Sequence, residues 1–330
     1  MSYLDDIRAQ PENLIRAHET FTRALDGVDL APFRSDPLVL AGMGSSYFSS
    51  MAGAFTLRSG GRSAFAVSST ELLEGGADSL GAAYIGISQS GKSSETVDAF
   101  SRLSKPRLAL TNSGGGPLAE VANVSLPIGS MPDTAIAVPT YTATLLAVAT
   151  LARELGASVE VDVRRLSEHM SDVLERSEGV VDRAMEAFGP MPSVDFVGRG
   201  TALATAAEGA LLMREAVRTP ASYMDTLQYL HGPLEVAEAG RACVVIGSGR
   251  EVQLARDMAG YGTSVLLVTD AAVEDAGNLW VVRTPQVAEA VAPILQIVPI
   301  QLLTSRMATA RGLEAEGFRY HQPDTKLDVA

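Results

Sequence analysis

Cysteine occurs once in the 330 residues, as Cys243, which rules out a disulfide framework and a thiolate metal cluster. It lies in the apolar run Ala242 to Ile246, so a buried core thiol in a reducing, cytoplasmic compartment is expected. Basic residues are scarce as well: 26 Lys and Arg against 39 Asp and Glu leave a formal net charge of -13. Such a balance excludes nucleic acid and an anionic membrane surface as partners, because both need basic patches. No apolar run reaches transmembrane length, and the acidic opening Met1-Ser2-Tyr3-Leu4-Asp5-Asp6 lacks the apolar segment of a signal peptide. The four histidines show no metal-ligand spacing, and neither a metal nor another cofactor is expected. What the chain does have is 46% hydrophobic residues beside 20% charged ones, enough to bury two cores.

Along the chain, Leu14, Ile15, His18 and Phe21 recur at helical spacing, with Pro11 suited to a first turn, which predicts a helical leader within residues 1–35. Pro37 to Gly42 reads as a buried strand that ends in the turn Gly42-Met43-Gly44-Ser45-Ser46, followed by a small-residue helix from Tyr47 to Leu57. Tyr84 to Ile87 is a second strand. It enters the hydroxyl-rich turn Ser88-Gln89-Ser90-Gly91-Lys92-Ser93-Ser94 and then a helix, so hydroxyls and helix N-terminal amides converge where a phosphate would be held. Lys92, read as lying in the first helical turn, opposes the helix dipole and is better tolerated beside an anion; pairing with Glu95 is the alternative. Arg107 to Thr111, Val124 to Ile128 and the helix after Pro139 continue the alternation. Together these elements predict a parallel sheet flanked by helices, with sites at strand C-termini.

The pattern then repeats. Val194 to Gly200 echoes the first strand and its turn, Val244 to Arg250 echoes the second, Thr269-Asp270 matches Thr111-Asn112, and Leu279 to Arg283 falls near the place of Val124 to Ile128. Four strands in near-constant register imply a duplicated domain: a first copy over 36–159, a connecting helix within 160–190, a second copy over 191–312 and a tail over 313–330. The first copy holds Ser45, Ser46, Ser88, Ser90, Ser93 and Ser94, whereas the second keeps only Ser248 at the matching turn. The anion site is therefore assigned to the first copy. In the second, Thr201 is placed to cap a helix from Ala202 to Val217 on which Glu208 and Glu215, two turns apart, share one face; Arg218 stands at pairing distance from Glu215. His231 lies in Leu230-His231-Gly232-Pro233, where Gly and Pro impose a turn and leave the imidazole at a loop edge.

In their order and spacing, Gly42-Met43-Gly44-Ser45-Ser46-Tyr47, Ser88-Gln89-Ser90-Gly91, Gly198-Arg199-Gly200, Ala207-Glu208-Gly209-Ala210, His231-Gly232-Pro233 and Val298-Pro299-Ile300-Gln301 resemble the sugar isomerase (SIS) family. The likeness is to its double-domain members, similar to the isomerase half of glucosamine-6-phosphate synthase. The resemblance implies two tandem flavodoxin-like α/β domains, a sugar phosphate as ligand, and a homodimer that shares its active site through the His-Gly-Pro histidine. It further implies phosphate contacts at Ser46, Ser88, Gln89, Ser90 and Ser93, with Ser45 beside them. Glu215 is implied as the proton-transfer base, Glu208 as a substrate-side carboxylate, His231 in ring opening and Lys326 as the tail lysine. Leu212 stands where the synthase pattern has lysine, Gln228 where it has glutamate, and Pro139-Thr140 where it has Thr-Lys. Leucine at 212 looks more like the family's fructosamine-6-phosphate deglycases. Two expectations follow: a phosphosugar aldose-ketose isomerase, open to deamination or deglycation of an amino substituent, or a non-catalytic sugar-phosphate-binding regulator of the same fold.

Overall fold

The computed structural model describes residues 2–133, 136–315 and 317–327. It divides into two compact units, one made of Glu12–Asp133, Pro139–Val163 and Arg319–Ala330, the other of Met1–Pro11, Thr134–Val138 and Arg164–Phe318.

In the unit that contains the first copy, five strands form one parallel sheet: β1 (Leu38–Gly42), β2 (Ala64–Ser68), β3 (Ala83–Ile87), β4 (Arg107–Thr111) and β5 (Val124–Pro127), in the order β2-β1-β3-β4-β5. Every residue of β1 and β3 is buried, as a sheet covered on both faces requires. Alternate side chains serve opposite faces. Leu38 and Leu40 join a core with Phe21, Leu57, Ile85 and Leu151, while Val39 and Ala41 join Tyr84, Phe100 and Leu118.

The other unit repeats the design with β6 (Val194–Gly198), β7 (Ala221–Asp225), β8 (Ala242–Ile246), β9 (Ser264–Thr269) and β10 (Leu279–Arg283), all parallel and ordered β10-β9-β8-β6-β7. Renumbered within its copy, this is the same strand order as the first. The duplication inferred from four strands per copy is thus a duplication of five. Each copy is the flavodoxin-like α/β arrangement expected, with the strand order reversing beside β1 and β3 and again beside β6 and β8. Cys243 is fully buried in β8.

Several local details differ from the sequence reading. The leader helix runs Tyr3–Leu25 with Pro11 in its interior rather than in its first turn. Proline there removes the N–H that would bond the carbonyl of Ile7, and the Gln10 side chain donates to that carbonyl instead, at 3.1 Å. The helix after β1 begins at Ser45 and ends at Ser59. Lys92 precedes its helix, which starts at Ser94, so the lysine is not in the first turn. Thr201 does occupy the N-cap of the helix Ala202–Glu215, but its hydroxyl makes no capping bond and donates to the Glu289 carbonyl at 2.9 Å.

Candidate functional site

β1 and β3 are hydrogen-bonded neighbours, so the turns that follow them leave the same edge of the sheet side by side. After β1, Gly44 is the N-cap of the helix Ser45–Ser59 and supplies no side-chain cap. Ser45 and Ser46 open that helix, and their carbonyls accept from the Ser49 and Ser50 hydroxyls, each at 2.9 Å. After β3, the Ser88 N–H donates to Leu110 of β4 and the Gly91 N–H to Ser88, each at 3.0 Å. The Gln89 carbonyl accepts from Asn112 at 2.9 Å. Ser88 is buried, and its hydroxyl lies 3.0 Å from that of Ser93. The Ser90 hydroxyl accepts the Lys92 N–H at 3.2 Å. The turn is therefore closed on itself, with its hydroxyls gathered ahead of the helix Ser94–Ser101.

The tail lies along this turn. Ser93 and Lys326 form an antiparallel β-bridge, the Leu327 N–H donates to Lys92 at 2.9 Å, the Ser94 N–H to Thr325 at 3.2 Å and the Ser94 hydroxyl to the Asp324 carbonyl at 2.6 Å. One unit thus brings together Ser45, Ser46, Ser88, Gln89, Ser90, Ser93 and Lys326. Hydroxyls and helix N-terminal amides are groups that can hold a dianion, and two lysines, Lys92 and Lys326, belong to the backbone segments joined here.

Glu208, Glu215 and His231 belong to the other unit. The helix that carries the glutamates packs closely on β6 because Gly209 is small: a Cβ there would stand 2.6 Å from the Phe196 ring. Glu208 is fully buried on it. Burial raises the Glu215 carboxyl from 4.5 to about 7, which leaves it part protonated near neutrality. Among the described residues Glu215 forms no ion pair with Arg218. Leu212, where the resemblance leads one to expect a lysine, is fully buried. His231 is exposed in the turn after the short helix Thr226–Tyr229, and its backbone N–H donates to the Gln228 carbonyl at 3.0 Å.

Sequence reasoning missed Tyr3. Burial, then the charges of Glu208, Glu215 and Asp6, hold its phenol well above the ordinary range, so the start of the leader helix lies within electrostatic reach of both glutamates. Nothing in the local sequence signals this, because the partners are distant in the chain. No helix among the described residues is long and apolar enough to cross a membrane.

A model of the SIS domain matches residues 33–153. Among curated proteins, the glutamine–fructose-6-phosphate aminotransferase [isomerizing] of Pyrococcus horikoshii is 28% identical over 315 residues, covering 89% of this chain and 51% of that protein. The chain spans about half the length of the curated relatives it matches. Among solved structures, the C-terminal domain of a glucosamine-fructose-6-phosphate aminotransferase from Francisella tularensis superposes with a TM-score of 0.82 at 18% identity, over 96% of this chain and 98% of that one. A glucosamine-6-phosphate deaminase from Thermotoga maritima gives 0.82 at 19% identity, over 99% of each chain. The Ser-rich switch point of the first sheet thus lies within the residues that the SIS domain model matches, and over its length the chain resembles the double-domain sugar isomerase proteins.

Proposed function

We propose that the chain is a phosphosugar aldose-ketose isomerase, with deamination or deglycation of an amino-substituted hexose 6-phosphate as a variant of the same chemistry. The observation that carries this reading is the cluster after β1 and β3, with Lys326 bridged to Ser93. Hydroxyls and backbone amides hold a phosphate without a basic patch, which suits a chain of net charge -13. The names of the relatives, which act on fructose or glucosamine 6-phosphates, support the substrate class.

In this reading Ser45, Ser46, Ser88, Gln89, Ser90 and Ser93 anchor the phosphate and Lys326 adds a cation. Glu215 removes a proton from C1 or C2 and returns it to the neighbouring carbon. A carboxyl at about 7 is matched to both halves of that transfer at neutral pH. Glu208 lies on the substrate side, and His231 opens the sugar ring by donating and accepting a proton. The resemblance favours a homodimer in which His231 serves the partner's site. Buried Leu212 supplies no charge to an enediolate, which favours a substrate other than that of the synthase, and equally favours the second reading, a regulator that binds a sugar phosphate without turning it over.

An NMR screen of aldose, ketose, amino-sugar and Amadori 6-phosphates in deuterium oxide tests both. The enzyme exchanges a C1 or C2 hydrogen of at least one of them, and Glu215→Gln stops the exchange. Thermal stabilisation by a phosphosugar with no exchange across the panel would leave only the regulator.

A further inference from the structure

The second sheet has the same switch point between β6 and β8, and a carboxylate lies in it. Gly247 follows β8 as Ser88 follows β3, and each donates its N–H to the next strand, to Val268 and Leu110, both at 3.0 Å. Glu251 lies two residues past Gly249, as Ser93 lies two past Gly91. Although it is a carboxylate, Glu251 is only 3% exposed. Its Oε2 accepts the Gly249 N–H at 3.1 Å. Its Oε1 is buried without a hydrogen bond and faces Nε of Arg199, from the turn after β6, at 3.4 Å. A Cβ at Gly247 would stand 2.8 Å from the Glu251 Cγ, so the carboxylate can lie over the turn only because this residue has no side chain. Ser248, the one hydroxyl kept here, is turned away. It bonds the Thr269 hydroxyl at 3.0 Å and accepts the Asp270 N–H at 3.1 Å.

An acidic residue in a first helical turn is common and is ordinarily solvated. Burial of this one, at the head of the 11-residue helix Arg250–Gly260, with a guanidinium brought from the neighbouring turn, is what a bound oxyanion would require. We propose that the second switch point is an oxyanion site filled by the chain's own carboxylate: Glu251 takes the place of a phosphate, sulfate or free carboxylate, and Arg199 is its counter-charge. The duplicated fold then has one open anion site per chain and one closed from within. Only that count of sites rests on reading the first turn as a phosphate site.

Inorganic phosphate, titrated calorimetrically into the full chain, is the probe. Wild type binds one phosphate, which Ser90→Ala with Ser93→Ala weakens. Glu251→Ala gains a second, indifferent to those serine changes and weakened about tenfold or more by Arg199→Ala, the loss expected for a charge-assisted contact. An unchanged stoichiometry in Glu251→Ala overturns the proposal. If wild type binds none and Glu251→Ala binds one, the closed site stands and the reading of the first turn falls. Should Glu251→Ala fail to fold in chloride, it is refolded in phosphate at equal ionic strength; recovery supports an anion taking the place of the carboxylate, and failure in both salts overturns it.

Discussion

At the scale of single residues, Glu215 makes the sharpest predictions. If it is the base, the ionised form is the active one, so the rate of carbon-bound hydrogen exchange rises as pH climbs through about 7 and levels off above it. Stability moves the other way. The folded carboxyl holds its proton up to about 7 while the unfolded one releases it near 4.5, so its contribution is complete below the lower value and is lost as pH rises between the two. Glu215→Gln removes that loss. The variant should gain stability relative to wild type above pH 7, by at most on the order of 3 kcal/mol, and gain none in acid. Denaturant titrations at a series of pH values read the difference directly, and a gap that stays constant with pH would refute the buried, proton-holding carboxyl.

At the scale of elements, the turn after β3 depends on one backbone shape. Gly91 has φ of 67° and a Cβ there would stand 2.7 Å from the Gly115 carbonyl. Gly91→Ala should therefore cost about 1–3 kcal/mol and weaken phosphosugar binding together, as read by denaturation and ligand titration; a stable variant with weakened binding would show that the turn bends without strain. Ser94→Ala removes the bond to the Asp324 carbonyl. Hydrogen exchange at the Leu327 amide should then quicken several-fold, because one such bond contributes about 1 kcal/mol, while a strand amide such as that of Ile85 keeps its rate.

The strands that carry these turns were legible because β1, β3, β8 and most of β4 are unbroken apolar runs closed by turns. β2 and β7 were not. They are sheet edges, with only Ala64 buried in β2 and only Ala221 in β7; Ala221–Asp225 shows neither a continuous run nor a clean alternation, and Ala64–Val67 is an apolar run too short for periodicity alone to assign to a strand. The serine turns could be read from their residues, and the tail bridge to Ser93 could not, since exposed residues joined mainly by backbone bonds leave no side-chain pattern. Ser248 illustrates the remaining gap. Its identity matched the first copy while its hydroxyl serves β9, a matter of rotamer rather than sequence.

At the scale of the whole molecule, net charge of -13 repels any dianionic ligand at long range. Most phosphate-binding surfaces lose affinity as salt is added; here screening relieves repulsion, so the association rate of a phosphosugar should rise between low and physiological ionic strength. Stopped-flow binding in chloride checks this, and a falling rate would mean that local cations dominate the approach.

The assignment of Met1–Pro11 to the same unit as Arg164–Phe318 also bears on how the protein is made. Tyr3 leaves the ribosome about two hundred residues ahead of Glu208 and Glu215, whose charges it feels. At ~5–20 residues per second this is a wait of roughly 10–40 s, during which the first sheet has been synthesised and the opening turns of the leader helix have no core to join. Their apolar face, with Tyr3 and Ile7 buried in the finished fold, stays open to chaperones for that interval.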